Sequence, residues 1–220
     1  MLEHVDRQTD RTLDAPQRTA TDRGRRSAAS RRTRQAIVEA AIETFGQDQT
    51  ASLADIARAA EVSRSTLHRQ FEDRSALLAA VDAECRRRFD QASLRSNIAD
   101  GSGLDALGRL AQEYLDLGSV LSLIFADNAL IDPDSWENDP ADAPNHQSDL
   151  HGEHGLAAII ERGHRDGSID RGLPTAWVIT TLWVLLFGAW QLRSGGSSRH
   201  EIGSLLARTL TGALAPRDEP

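Results

Sequence analysis

Residues 52–71 constrain the fold of this 220-residue chain more than any other stretch, because they predict two short helices joined by a tight turn. Ser52 can cap the first helix, and Asp55, three residues later, can return a hydrogen bond to the cap. Glu61 interrupts the apolar pattern, and Ser63 can cap the second helix. The residues that would face a shared core are Leu53, Ile56, Ala57, Ala60, Val62, Leu67 and Phe71.

The other side of the second helix is polar and has no acidic residue before Glu72. A solvated helix normally mixes both charges, whereas a helix that enters the phosphate-lined major groove must avoid negative charge. The segment therefore predicts a DNA-binding helix-turn-helix; the alternative is a surface hairpin of helices with a chance run of polar residues. The predicted DNA-binding residues are Arg34, Ser52, Ser63, Arg64, Ser65, Thr66, His68, Arg69, Gln70 and Arg74.

Flanking segments extend this pattern into a small helical domain. Residues 34–45 place Ile37, Val38, Ala41, Ile42 and Phe45 at helical spacing, and a further helix begins at Arg74. Residues 34–81 resemble the DNA-binding domain of the TetR family of transcriptional regulators. The residues that carry the resemblance are Ala41, Phe45, Asp55-Ile56-Ala57, Val62-Ser63, Thr66-Leu67, Phe71 and Leu77-Leu78.

Three positions depart from that family's pattern. Glu61 occupies the turn position that usually carries glycine, and a non-glycine residue with positive φ costs about 1 kcal/mol. His68 replaces the aromatic residue that commonly follows Thr-Leu, and Arg74 replaces a lysine that contacts a phosphate. Both substitutes keep a hydrogen-bond donor, so we expect DNA binding to persist with an altered base preference.

The charge is divided unequally along the chain. The net charge is −8, yet residues 18–78 carry eleven Arg and eight acidic residues, whereas residues 79–220 carry twelve Arg and twenty-one acidic residues. The chain has no Lys, so guanidinium groups must make every cationic side-chain contact. We expect residues 1–30, with few apolar side chains, to form a disordered basic arm that follows the DNA backbone or enters the minor groove.

Beyond residue 78 the pattern remains helical, which predicts an all-α fold with three parts: the basic arm (1–30), the helix-turn-helix domain (31–78) and an effector-binding and dimerisation domain (79–216). Residues 104–125 have the pattern of one long helix, and a helix over residues 155–164 should stop at Asp166-Gly167. Residues 132–153 lose periodicity and predict a long acidic loop.

Residues 175–192 are apolar on every side, so they predict a helix that must be covered on both faces. Their uninterrupted apolar core is shorter than the ~20 residues that span a bilayer, and Thr180, Thr181, Gln191 and Arg193 also argue against a membrane span. A chain of this size can cover one face only. We therefore expect a second copy to cover the other, in a four-helix bundle with residues 200–214. The TetR resemblance implies the same arrangement.

A dimeric helix-turn-helix protein can be regulated by a small molecule that shifts the separation of its two recognition helices. The expected lining of the effector site consists of large apolar or amphipathic residues: Phe89, Tyr114, Phe125, Trp177, Trp183 and Phe187. The absence of an evident buried charge among them favours a neutral or lipophilic effector. Trp136, in the acidic loop, could close over such a site.

Other functions are less well supported by the sequence. His146, His151, Glu153 and His154 could bind a divalent metal, but an acidic solvated loop is the simpler interpretation, and we expect no metal or cofactor.

Cys85, the single cysteine, fits a buried core position better than a redox sensor and is compatible with the cytoplasm. No motif supplies a catalytic nucleophile with its base, so the remaining alternative is a DNA-binding regulator without a ligand.

Overall fold

The computed structural model describes residues 16–125 and 153–217, with side chains from residue 24 and from residue 155 onward. These residues contain nine α-helices and no strand, which confirms the all-α prediction. The helices are α1 Pro16–Gln47, α2 Leu53–Ala59, α3 Arg64–Gln70, α4 Arg74–Arg95, α5 Gly103–Leu115, α6 Ser119–Phe125, α7 Glu153–Asp166, α8 Thr175–Ser194 and α9 Arg199–Leu214.

The first three helices and the start of α4 enclose a small core. Ile37, Ile42 and Phe45 of α1 are completely buried, and α2 contributes Ile56 to the same cluster. Leu67 is the one fully buried residue of α3, so the rest of that short helix is left at or near the surface. This head, defined here as residues 34–78, holds α3 on its outside.

The second part of the chain is a helical bundle around α5. Its central helix buries Leu107, Leu110 and Tyr114, and it packs against α7, α8 and α9. Helix α4 joins the bundle to the head, because Leu77 lies in the head while Phe89 lies beside Tyr114. Helix α6 returns to the head and packs against α1.

The predicted single helix over residues 104–125 is wrong: the structure divides it into α5 and α6. Asp116 ends α5, and Gly118 adopts φ +56°, a left-handed conformation that a helix cannot continue through. The apolar spacing continues across the break because both helices bury residues in the same core. Periodicity alone therefore suggested one helix.

Helix α1 also differs from the expected basic arm. A disordered segment was expected over residues 1–30, whereas α1 begins at Pro16 and continues without interruption to Gln47. Proline suits the first turn of a helix, and the following Ala, Arg and Gln have high helix propensity. Residues 1–15 lie outside the described residues, as do residues 126–152 with Trp136, His146 and His151; the side chains of Glu153 and His154 are not described either.

Candidate DNA-binding surface and aromatic cluster

Helices α2 and α3 each begin at a serine cap. Ser52 Oγ accepts a hydrogen bond from the Asp55 backbone at 3.3 Å, and Asp55 Oδ2 accepts one from the Ser52 backbone at 3.0 Å. The hydrogen bonds from Ser52 lower the pKa of Asp55 below its ordinary value. Glu61 adopts φ +54°, so this non-glycine residue does take the left-handed conformation that the turn requires.

Helix α3 begins at a similar cap. Ser63 Oγ accepts a hydrogen bond from the Thr66 backbone at 3.1 Å and lies 3.0 Å from Ser65 Oγ. Ser52 and Ser63 are therefore occupied as helix caps. Contacts of these two serines to DNA, as expected from the sequence, remain a prediction.

The outward face of α3 is exposed and positively biased. Arg64, His68 and Arg69 are exposed, and none of the three has a hydrogen bond or ion pair to another residue in the described part of the chain. Leu67, which is 1% exposed, anchors the opposite side of the helix in the head. The rigid helix thus presents side chains that have donors available for an external ligand.

Two other arginines of the predicted DNA-binding set are held by the protein itself. Arg34 donates to the Gln70 carbonyl at 2.6 Å and lies 4.1 Å from the centre of the Phe71 ring. Arg74 donates to the carbonyls of Ala51 and Gln49 at 2.5 and 2.7 Å and lies over the ring of Phe45. Both guanidinium groups position the ends of α2 and α3, a role that sequence reasoning missed because the acceptors are backbone atoms.

A second cluster of candidate functional residues lies inside the bundle. Phe89 and Tyr114 meet edge to face with ring centres 4.8 Å apart, and Trp183 stacks on Tyr114 at 6.0 Å. Phe125 lies 6.0 Å from Trp183 and 5.4 Å from Phe187. Five of the six predicted effector-site residues are thus brought together by α4, α5, α6 and α8.

Two titratable groups of the bundle stay protonated at neutral pH. Burial raises the pKa of Tyr114 to about 12, and its hydroxyl shares a hydrogen bond of 3.2 Å with Ser93 Oγ. Burial likewise raises the pKa of Cys85 to about 12, so its thiol is a poor nucleophile. The environment of Cys85 matches the predicted core residue rather than a redox sensor.

Comparison with known proteins finds a match for the DNA-binding head. Residues 37–81, which include the caps, the turn and α3, match the family model of bacterial regulatory proteins, tetR family. The helix-turn-helix of this chain is thus similar to that of TetR-family regulators. The match supports a DNA-binding transcriptional regulator.

Similar proteins extend the likeness of this chain beyond the DNA-binding head. It is 29% identical, over 86% of its length and 93% of the relative, to the HTH-type transcriptional repressor LfrR of Mycolicibacterium smegmatis. The crystal structure of LfrR in complex with proflavine is similar at TM-score 0.64 and 28% identity, over 86% of this chain and 99% of that chain. A ketosteroid transcriptional regulator, KstR2 of Mycobacterium tuberculosis, shares the fold at TM-score 0.65 and 11% identity, over 84% and 95% of the two chains.

The aromatic cluster differs from the predicted effector-site residues at two positions. Trp177 lies outside the aromatic cluster and is 59% exposed, because it precedes Trp183 by six residues and therefore points about 120° away around α8. Trp190 was not predicted, yet its ring centre lies 5.9 Å from those of both Phe125 and Phe187. The spacing of Trp183, Phe187 and Trp190 along one helical face was the signal that could have identified it.

Helix α8 also presents an apolar surface that this single chain does not cover. Val178, Leu182, Leu186 and Ala189 are buried, whereas the opposite side leaves Val184 62% exposed. By length and composition, α8 is the one helix of the described residues that could cross a membrane, with 22% of its apolar window buried. The residues of this outer face are Trp177, Val184, Phe187 and Leu192 of α8, with Leu205 of α9 beside them.

Proposed function

We propose that this chain is a cytoplasmic transcriptional repressor of the TetR type that binds a palindromic operator as a homodimer and is released by a small lipophilic effector. The observation that carries the proposal is the exposed face of α3, where Arg64, His68 and Arg69 have donors available while Leu67 fixes the helix in the head. Such a face can hydrogen-bond base edges in the major groove. The similarity to the repressor LfrR supports repression rather than activation.

Homodimer formation is supported by the outer face of α8. Exposed Trp177, Val184 and Phe187 form an apolar stripe, and a stripe of this kind on a helix of a soluble regulator is normally covered by another molecule. A twofold axis through α8 and α9 would give the four-helix bundle expected from the sequence. It would also place two copies of α3 on the same side of the dimer, as a palindromic operator requires.

An effector site at the aromatic cluster is supported by its composition. Phe89, Tyr114, Phe125 and Trp183 offer flat apolar surfaces beside a neutral phenol, which suits an uncharged or weakly polar aromatic molecule. LfrR has been crystallised in complex with proflavine, a planar aromatic dye. Proflavine carries a positive charge at neutral pH, so it is a first probe of aromatic stacking at the cluster and not of the charge of the effector.

Helix α6 supplies a physical connection from this cluster to the DNA-binding head. Phe125 at its end contacts Trp183, while Ser119 at its start donates a hydrogen bond to Glu43 Oε2 of α1 at 2.7 Å. A ligand that displaces Phe125 would thus shift a helix that packs on the head. This coupling is the route by which effector binding would change the separation of the two α3 helices.

The effector part of the proposal is tested by fluorescence titration with proflavine in the absence of DNA. Wild-type protein should quench or shift proflavine emission at saturation, and Trp183→Leu should weaken binding at least tenfold because the stacking surface is lost. Leu94→Ala is the control, since Leu94 is 53% exposed on α4, belongs neither to the cluster nor to the outer face, and should leave binding unchanged. Equal behaviour of the two variants would contradict an effector site at Trp183.

A regulator without a small-molecule ligand remains the alternative, because the aromatic cluster can serve packing alone. The two functions differ in a DNA-release experiment with a panel of lipophilic compounds that do not bind DNA. Release by one compound, abolished by Trp183→Leu, favours the effector-responsive repressor. An enzymatic function has no support from the residues described above.

A further inference from the structure

The N-terminal extension of α1, defined here as residues 24–33, has a sequence that packing does not explain. It reads GRRSAASRRT and contains no apolar side chain larger than alanine. Its residues are exposed or half-buried, and none belongs to the hydrophobic core. The segment therefore adds no apolar core residue to the head, although the helix continues through it.

The charge of the extension is uniform. Arg25, Arg26, Arg31 and Arg32 are exposed, and no acidic residue occurs between Asp22 and Glu39. Four like charges within eight residues repel one another on a helix, and the repulsion is relieved when a polyanion neutralises them. A negatively charged ligand would therefore stabilise the helical extension more than water does.

The extension is attached to the recognition helix by direct contacts. Gln70 Nε2, at the end of α3, donates to Ser30 Oγ at 3.1 Å, and Arg34 donates to the Gln70 carbonyl at 2.6 Å. Arg26, Ser30 and Arg34 follow one another at intervals of four residues, so they share one face of α1. Residues 25–32 therefore lie up to ~14 Å from Arg34 along the axis of α1.

This attachment determines where the arginines lie when α3 is in a major groove. The groove is about 12 Å wide and is bordered by phosphates on both sides. An extension fixed to the end of α3 therefore places its guanidinium groups beside the phosphate backbone, next to the base pairs that α3 reads. Phosphate contacts of this type add affinity without sequence information.

We propose that residues 24–33 form a second DNA-contacting surface, a helical basic extension that binds the phosphate backbone beside the recognition helix. The proposal rests on the proposed DNA-binding function and specifies a further contact of the same protein with its operator. It also assigns Gln70 a positioning role, since this residue joins the extension to α3.

The test is the salt dependence of binding to a labelled duplex of random sequence, about three helical turns long, between about 50 and 200 mM salt. We expect the variant Arg25→Gln/Arg26→Gln/Arg31→Gln/Arg32→Gln to lower the slope of log K against log salt by about 1 to 4, since each lost phosphate contact removes about 0.9. Affinity should fall equally for random and operator sequences. The same four positions changed to Lys should restore the slope.

A charge-matched control changes four exposed arginines of the bundle to Gln: Arg95, Arg165, Arg171 and Arg217. This control has the same net charge as the test variant and should keep the wild-type slope. Circular dichroism checks that all variants retain their helix content. A wild-type slope in the test variant, or no restoration by Lys, overturns the extension contact while leaving DNA binding by α3 intact. Failure of the wild-type protein to bind any duplex overturns the proposed function itself.

Discussion

At the scale of residues, the arginines around α3 fall into two groups that the sequence cannot separate. Arg64 and Arg69 extend from the exposed face, whereas Arg34 and Arg74 donate to backbone carbonyls of the head. All four are arginines in or near the helix-turn-helix, so composition alone assigns them the same function. The difference arises only after folding, when the carbonyls of Gln70 and Ala51 come within hydrogen-bond distance.

Replacing Arg69 with Ala should weaken operator binding by about 1–3 kcal/mol if its guanidinium reads a base, and should relax the sequence preference at that base pair. The free energy of unfolding should stay within about 0.5 kcal/mol of wild type because the side chain is exposed and has no partner in the described residues. Fluorescence anisotropy on operator and single-base variants measures the effect. A loss equal on all sequences would reassign Arg69 to phosphate contact.

Glu84 makes pH-dependent ion pairs within α4. Burial would raise its pKa, but hydrogen bonds from Arg87 and Arg88 outweigh burial, and the pKa of this carboxyl lies below its ordinary value. Arg88 also pairs with Glu39 of α1. The contribution of Glu84 to stability is therefore complete above its unfolded-state pKa and is lost as the pH falls through the lower folded-state pKa.

We expect Glu84→Gln to lower the free energy of unfolding at pH 7 by about 1–3 kcal/mol, because Arg87 and Arg88 lose an ionised acceptor. The loss should shrink as the pH falls below the pKa of the folded carboxyl. Urea denaturation at fixed protein concentration, at pH 7 and in acid, measures both values. An unchanged difference between variant and wild type across this range would contradict the ionised state assigned to Glu84.

At the scale of elements, the helices that carry the site were largely predictable from capping and periodicity. Ser52 and Ser63 marked the starts of α2 and α3, and the structure confirms both caps. The division between α5 and α6 at Gly118 was not predictable, because the apolar spacing continues across it. The continuation of α1 back to Pro16 was also missed, since a run of arginines suggested disorder while helix propensity favoured order.

The contact between α5 and α7 permits a sharp test of the bundle. A Cβ atom on Gly103 would lie 2.3 Å from the Gly163 backbone nitrogen, so the two helix backbones touch at this point. Gly103→Ala should destabilise the protein by about 1–3 kcal/mol or more through overpacking. Gly108→Ala, in the same helix with no atom within 4 Å of the added carbon, should stabilise it by about 0.5–1 kcal/mol.

Thermal unfolding at one protein concentration compares the two glycine variants directly. Opposite shifts of Tm, downward for Gly103→Ala and upward for Gly108→Ala, are expected. Similar shifts in both would contradict the close approach of α5 and α7.

At the scale of the whole molecule, the outer face of α8 carries the proposed dimer interface. Val184 is 62% exposed in the single chain, and the apolar stripe around it was already expected from a helix that is apolar on all sides. The sequence predicted that this face needs a cover but not which residues form it. Trp177 is an example. The sequence placed it in the effector site, whereas its side chain is exposed on the outer face.

Val184→Arg should convert the protein to a monomer at micromolar concentration, because a buried unpaired charge at a twofold axis meets its own copy. Operator affinity should fall at least tenfold, since one α3 helix then binds alone. Leu94→Arg is the matched control, for Leu94 is 53% exposed on α4 and lies off the outer face. Analytical ultracentrifugation distinguishes the two; a dimeric Val184→Arg protein would contradict an interface at α8.

The central claim is that two copies of α3, held by a twofold dimer, read a palindromic DNA sequence. Selection of bound fragments from a random duplex library, followed by sequencing, tests it most directly. The account predicts enrichment of inverted repeats whose half-sites lie about one helical turn, or a small multiple of it, apart, and loss of that enrichment in Arg64→Ala/Arg69→Ala. Enrichment of no sequence, or of a single unrepeated half-site by the wild-type protein, would contradict it.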